Sequence, residues 1–238
     1  MQKISVVEHL NDILRSIDED LILALGSHEK EKLGGFMSIP RSVFSYVDYL
    51  GALTTNGETG TVNAVKFMEK YFIVENSKYD GKCMVLYDMW RHGTVHKYSA
   101  IAYESKKKGF KLLWGANNSS KEHNRKSHLK CFCMKDKPDS YYWFINLFDL
   151  VGDLKSSVLH LLRDIELNSS ILSTVKENFM KLSLYDDLDN LSQTRSKLLA
   201  DVENLIGRAD GIIDHDSQVQ YLFKNQAEFL KFKEDWKK

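Results

Sequence analysis

The segment Tyr87-Asp88-Met89-Trp90-Arg91-His92-Gly93-Thr94-Val95-His96 gathers one guanidinium and two imidazoles within a few residues. Histidine titrates near neutrality and can act as acid or base. Arginine stays charged and can grip two phosphate oxygens at once. Cleaving RNA without a metal needs that set: a base for the 2′-hydroxyl, an acid for the leaving oxygen and a cation on the crowded phosphorane. On an unbroken helix the five steps from Arg91 to His96 turn the chain through about 500°, leaving the two side chains about 140° apart. They converge only if Gly93 breaks the helix or if a second copy of the chain supplies the partner group. The competing reading is plain structure: Arg91 pairs with an acid such as Asp88, and His92 and His96 hydrogen-bond locally at a helix end.

Two further constellations carry chemistry-bearing residues. Lys106, Lys107, Lys108, Lys111, Lys121, Arg125, Lys126 and Lys130 are interleaved with Phe110, Trp114 and His128. Cations neutralise phosphates without reading sequence, and exposed aromatics stack on bases, so this stretch is the candidate nucleic-acid surface. The residues expected to bind the nucleic acid are Lys106, Lys107, Lys108, Lys111, Arg125 and Lys126. His123, His128, Cys131 and Cys133 could complete a tetrahedral zinc shell. Their spacing matches no standard finger or ribbon, and buried cysteines are common in cores, so neither a metal nor a cofactor is expected. Gly34-Gly35 and the Gly57/Gly60 turn match neither a P-loop nor a dinucleotide fingerprint. The acidic run Asp210–Asp216 lacks calcium-loop spacing.

Arg91, a polar neighbour in His92, three variable residues and then His96 resemble the signature of the HEPN superfamily, the helical nucleases and nucleotide-binding domains of prokaryotic defence and toxin systems. The resemblance covers about residues 40–100. It implies a metal-independent ribonuclease of toxin or defence type, or an inactive relative that binds RNA or nucleotides. Arg91 would then stabilise the phosphate, His96 would transfer the proton, and His92 would orient or assist. It also implies a homodimer with the motif at the interface of two bundles. The pattern departs in one respect: a helix should follow the motif, whereas residues 97–114 read as a β-hairpin. The alternative is a non-enzymatic helical interaction module, built on the apolar stripe from Phe144 to Ile165 and the C-terminal aromatics.

Composition bounds these readings. The chain has 238 residues, 43% apolar and 28% charged, enough to bury a core. Lys plus Arg and Asp plus Glu both number 33, which excludes a globally cationic binder. The neutrality hides a dipole along the sequence: ten Lys/Arg against two acids between Lys97 and Lys135, and three against eight between Ser183 and Asp216. Three cysteines do not make a disulfide framework, which suits a reducing compartment. Acids arrive too early for a signal peptide, and no apolar run reaches the roughly 20 residues that span a bilayer. A cytoplasmic protein with no membrane partner is the expectation.

The elements that must position the motif follow from periodicity. Ile4, Val7, Leu10, Leu14, Ile17, Leu21 and Leu25 predict a first helix, started by a Ser5/Glu8 capping box and stopped by Gly26. Pro40 opens a second helix carrying Val43, Val47 and Leu50. Thr61 caps a third with Val65, Met68 and Phe72. Asp80 caps a fourth that runs into the motif. Residues 97–104 and 110–114 around Lys106–Gly109 predict a hairpin, and 129–134 a third strand. After Pro138 helices return, the clearest stripe being Phe144, Leu147, Val151, Leu154, Val158, Leu161 and Ile165. Ile171, Val175, Phe179 and Leu182 predict another, with two more near 188–207 and 217–235. The expected class is α+β, mainly α: a helical bundle with a small antiparallel hairpin or sheet inserted around 97–135. Its expected domains are a helical domain with the β insertion, 1–182, and a C-terminal helical segment packed on it, 183–238; a single domain is the alternative.

Overall fold

The computed structural model describes residues 5–22, 24–25, 37–96, 99–117 and 126–183. These belong to the first of the two units into which the chain divides, Met1–Leu184. Gly26, Lys121, His123, Arg125, and the boundary and helices expected beyond 183 lie outside the described residues.

Helix α1, Val6–Ser16, starts as its sequence dictates. The Ser5 side chain accepts from the Glu8 backbone and the Glu8 carboxylate accepts from the Ser5 N–H. The two bonds satisfy donors that a helix start otherwise leaves without partners. The buried face is Val6, Leu10 and Ile13, while Val7 is exposed. The expected stripe is therefore one position out of phase at its start. A π-turn, Ile17–Ile22, then carries Ile17 and Leu21 into the core.

Helix α2, Ser38–Thr54, holds Pro40 in its first turn and buries Ile39, Val43, Phe44, Val47, Leu50 and Leu53. Helix α3, Thr61–Phe67, continues through a π-turn, Met68–Phe72, to Glu75. Thr61 is its first residue and Gly60 precedes it, so the expected threonine cap is not made. A Cβ on Gly51 would lie 2.6 Å from the Ala64 nitrogen, so α2 and α3 meet backbone against backbone there.

Asp80 starts no helix. A 3-10 turn, Ser77–Tyr79, precedes it, and Gly81 takes a left-handed φ of 66°, which defers helix α4 to Cys83–Tyr87. This helix continues through a π-turn, Asp88–His92, and a last turn, Gly93–His96.

Strands β1, Tyr103–Ser105, and β2, Phe110–Asn117, flank the Lys106–Gly109 turn where the hairpin is expected, and Gly109 supplies the left-handed φ of 67°. The first strand is shorter than the expected run 97–104: residues 99–102 form no strand, and the Ile101 N–H bonds to the Met89 carbonyl of the motif helix instead. Strand β3 is Lys130–Met134 and β4 is Lys137–Asn146. The order is β1-β2-β4-β3, with β2 and β4 parallel and the other pairs antiparallel. The fold is thus α+β and mainly α, but its sheet is mixed rather than antiparallel and runs past 135 to Asn146. The physical reason lies in β4, which takes the place of the helix expected after Pro138. Ser140 to Asn146 reads SYYWFIN, β-prone aromatics that alternate between faces. The β3–β4 hairpin lays this strand into the gap beside β2.

One face of the sheet, carrying Tyr103, Leu112, Trp114, Trp143 and Ile145, packs on the helices. Helix α5, Leu147–Leu167, is the central helix its stripe anticipates, with Leu147, Val151, Leu154, Val158, Leu161 and Ile165 all buried. Phe144 belongs to β4 instead. The stripe that the interaction-module reading reserves for a partner is taken up by this chain's own core. Helix α6, Ser169–Ser183, follows and buries Val175. No helix among the described residues is long and apolar enough to cross a membrane.

Candidate functional site

The motif sits on a helix whose register changes within it. In the π-turn Asp88–His92 the ladder lengthens by one residue, a distortion often found where helices carry function. Gly93 does not break the helix, contrary to one of the two routes by which Arg91 and His96 could converge. Its φ of −62° and ψ of −53° are ordinary helical values. Glycine is required there for another reason: a Cβ would lie 2.4 Å from the Ser99 carbonyl oxygen and 2.8 Å from the Ala100 Cα. The chain returning toward the sheet crosses the helix at that point, and the Ile101 N–H donates to the Met89 carbonyl at 2.9 Å. Trp90 packs edge-on against Trp114 of β2, ring centroids 5.4 Å apart.

Arg91 and His92 are each held by a carboxylate, and each carboxylate by a tyrosine. Arg91 Nε donates to Asp48 Oδ2 at 2.5 Å, and the Tyr87 hydroxyl donates to Asp48 Oδ1. Asp48 comes from α2, forty-three residues away, and its side chain is 12% exposed. His92 Nδ1 lies 2.8 Å from Asp88 Oδ1, and the Tyr103 hydroxyl donates to Asp88 Oδ2. The competing reading is thus partly realised, with partners exchanged: Arg91 pairs with Asp48, and Asp88 takes His92. Burial, and then the carboxylate accepting its proton, pushes each tyrosine hydroxyl far above its ordinary range. Both remain donors at any physiological pH.

Arg91, His92, Asp48, Tyr87, Tyr49 and Thr61 line one cleft of about 410 Å³. Nε is the only nitrogen of Arg91 engaged among the described residues. The backbone of His96 continues the same helix; its side chain lies outside what is described. Comparison with protein-family models, curated proteins and solved structures finds no match.

The basic stretch divides. Lys106, Lys107 and Lys108 are exposed in the β1–β2 turn, Lys126 is exposed, and Lys111 pairs with Glu104 across the strands at 3.2 Å. Of the three interleaved aromatics, only Phe110 stays near solvent. Trp114 faces the helices. His128, 2% exposed, is built into the core. Its Nδ1 accepts from the Asn146 N–H at 2.9 Å, and its Nε2 lies 3.1 Å from the Tyr79 hydroxyl and 3.3 Å from Asp153 Oδ2. The Nδ1 bond fixes the neutral tautomer with its proton on Nε2.

That commitment removes His128 from the cluster with Cys131 and Cys133, both exposed on β3. Among the described residues no three His, Cys, Asp or Glu side chains gather closely enough to hold a metal. Cys83 differs from the other two thiols. It is buried, and burial pushes its thiol up to about 12. At pH 8 a soluble disulfide probe should therefore titrate two thiols of the native protein and the third only after unfolding. Three thiols reacting at one rate would contradict the placement of Cys83.

Sequence reasoning missed Asp48 and Tyr103. The signal for Asp48 was present: an acid four residues after Phe44 and one after Val47, in the phase of a buried face. Tyr103 gave none, because its contact depends on where the chain returns after the helix.

Proposed function

We propose that the chain is a HEPN-like, metal-independent ribonuclease, or an RNA-binding relative of one, with the Arg91–His96 segment at its working site. The observation that carries the reading is the shared cleft in which Arg91 and His92 are both anchored by carboxylates. Asp48 holds the guanidinium at Nε, so that it meets a phosphate already oriented and the binding step costs less ordering. Asp88 Oδ1, 2.8 Å from Nδ1 of His92, fixes the orientation of that ring in the cleft. His96 supplies proton transfer, and a dimer brings the second copy of the motif. The Gly93 geometry favours this dimer route, since the helix runs on unbroken from Arg91 to His96.

His96→Ala should lower cleavage of a single-stranded RNA by about 10²- to 10⁴-fold, the usual contribution of a positioned acid or base. Its thermal melt should match wild type, and wild-type cleavage should persist in EDTA. Light scattering should give the mass of a dimer. No cleavage by folded wild-type protein, or equal cleavage by His96→Ala, overturns the catalytic form of the reading.

A further inference from the structure

We infer that the outer face of the sheet is a stacking platform for single-stranded nucleic acid, separate from the Arg91 cleft. The register decides which side chains share that face. Phe132 lies opposite Tyr142 and Lys130 opposite Phe144 across β3 and β4, while Leu113 and Gly115 lie beside Tyr142 and Phe144 across β2 and β4. None of these residues belongs to the packed core. Phe132 is 46% exposed, and Tyr142 and Phe144 are half-buried.

The rings form a connected surface. Phe132 and Phe144 meet with centroids 5.7 Å apart, and Tyr142 and Phe144 at 6.0 Å. Gly115 gives Phe144 its place: a Cβ there would fall 2.4 Å from a ring carbon, so the ring lies over bare backbone. An aromatic ring laid over a strand offers its face to whatever lands on the sheet.

Beside the rings is a cleft of about 820 Å³, lined by Lys106, Phe110, Lys111, Lys137 and Tyr142 among others. That volume falls in the range of roughly 300–1,000 Å³ typical of small-molecule sites. The exposed rim adds Lys107, Lys108, Lys130 and Lys135, so seven lysines stand against Glu104, Asp136 and Asp139.

Aromatics at the centre and lysines at the edge are what a single strand requires. Its bases present π-faces that stack on rings, and its phosphates follow a basic margin. A duplex keeps its bases stacked inside and gains only from the lysines. A protein partner would find no cationic rim necessary. The local charge, positive within a chain of zero net charge, therefore selects the polyanion.

The test is binding of a fluorescein-labelled single-stranded RNA of mixed sequence to the full-length protein, read by anisotropy with EDTA present. Wild type should bind, the affinity should fall steeply with salt, and the matching duplex should compete poorly. Phe132→Ala, at an exposed position, should weaken binding about tenfold or more, the loss expected for one stacked base. Lys106→Glu with Lys137→Glu should weaken it further and lower the salt slope by about 0.7 for each phosphate no longer neutralised. A single-stranded DNA of the same sequence should bind comparably; it lacks the 2′-hydroxyl that the cleavage chemistry needs, which separates this inference from the ribonuclease reading. No binding by folded protein at low salt overturns the inference and leaves the face to a protein partner. Equal competition by duplex, or unchanged binding by Phe132→Ala, overturns it as well.

Discussion

Asp48→Ala should destabilise the protein by about 3 kcal/mol, with a matching drop in the midpoint of a urea melt. The size follows from what the change strands. The Asp48 side chain is 12% exposed and Arg91 23%, so removing the carboxylate leaves a largely desolvated guanidinium without its counter-charge. It also leaves the Tyr87 hydroxyl, which donates to the same carboxylate, without an acceptor. Removing one partner of a buried pair costs about 3–5 kcal/mol, and the residual solvent access of Arg91 places this pair at the lower end. The pair itself contributes much less than that. A double variant, Asp48→Leu with Arg91→Met, should therefore be more stable than Asp48→Ala alone. Two losses that simply add would mean that Asp48 and Arg91 do not depend on each other.

The second large effect is at Gly51. A Cβ there meets the Ala64 nitrogen and the Asn63 carbonyl carbon at 2.6 Å and the Ala64 Cα at 2.7 Å. All three are backbone atoms of α3, so no rotamer change relieves the clash and the two helices must separate. Gly51→Ala should cost about 3 kcal/mol, at the upper end of overpacking effects. Gly152, on α5, is the control. Nothing lies within 4 Å of its Cβ position. There alanine should stabilise by up to about 1 kcal/mol, through helix propensity alone. The same substitution on two helices should thus shift the melting temperature in opposite directions. A loss at both sites would mean that propensity and crowding do not account for these glycines.

How much of this is legible in the sequence depends on the range of the interaction. The Ser5/Glu8 cap, the α5 stripe and the Lys106–Gly109 hairpin turn are set by neighbours a few residues apart, and each is readable. Strand β4 is not. Pro138 followed by an apolar run reads as a helix start, and the Phe144-to-Leu147 step joins smoothly to a genuine helical stripe. What makes 137–146 a strand is β2 and β3 on either side, partners that no local pattern announces. The motif divides in the same way. Arg91, His92 and His96 are visible as a spacing. The carboxylate that orients Arg91 comes from another helix and becomes known only once α2 and α4 are packed. The aromatic platform escapes a linear reading for a related reason. Nearness along the chain groups Phe110, Trp114 and His128, whereas the sheet sorts residues by parity. Parity sends Trp114 inward and brings Phe132 together with Tyr142 and Phe144.

The π-turn in the motif helix carries a consequence for variation at this site. A one-residue lengthening rotates everything beyond it, so the stretches before Asp88 and after His92 obey two offset helical wheels. Deleting a residue between them would restore a uniform wheel and swing His96 by roughly a quarter of a turn or more. The same deletion would carry the Met89 carbonyl away from Ile101 and unfasten the crossing at Gly93. Chain length between Tyr87 and Gly93 is thus constrained more tightly than the identity of most residues within it, and natural variants should exchange side chains there far more readily than they gain or lose one.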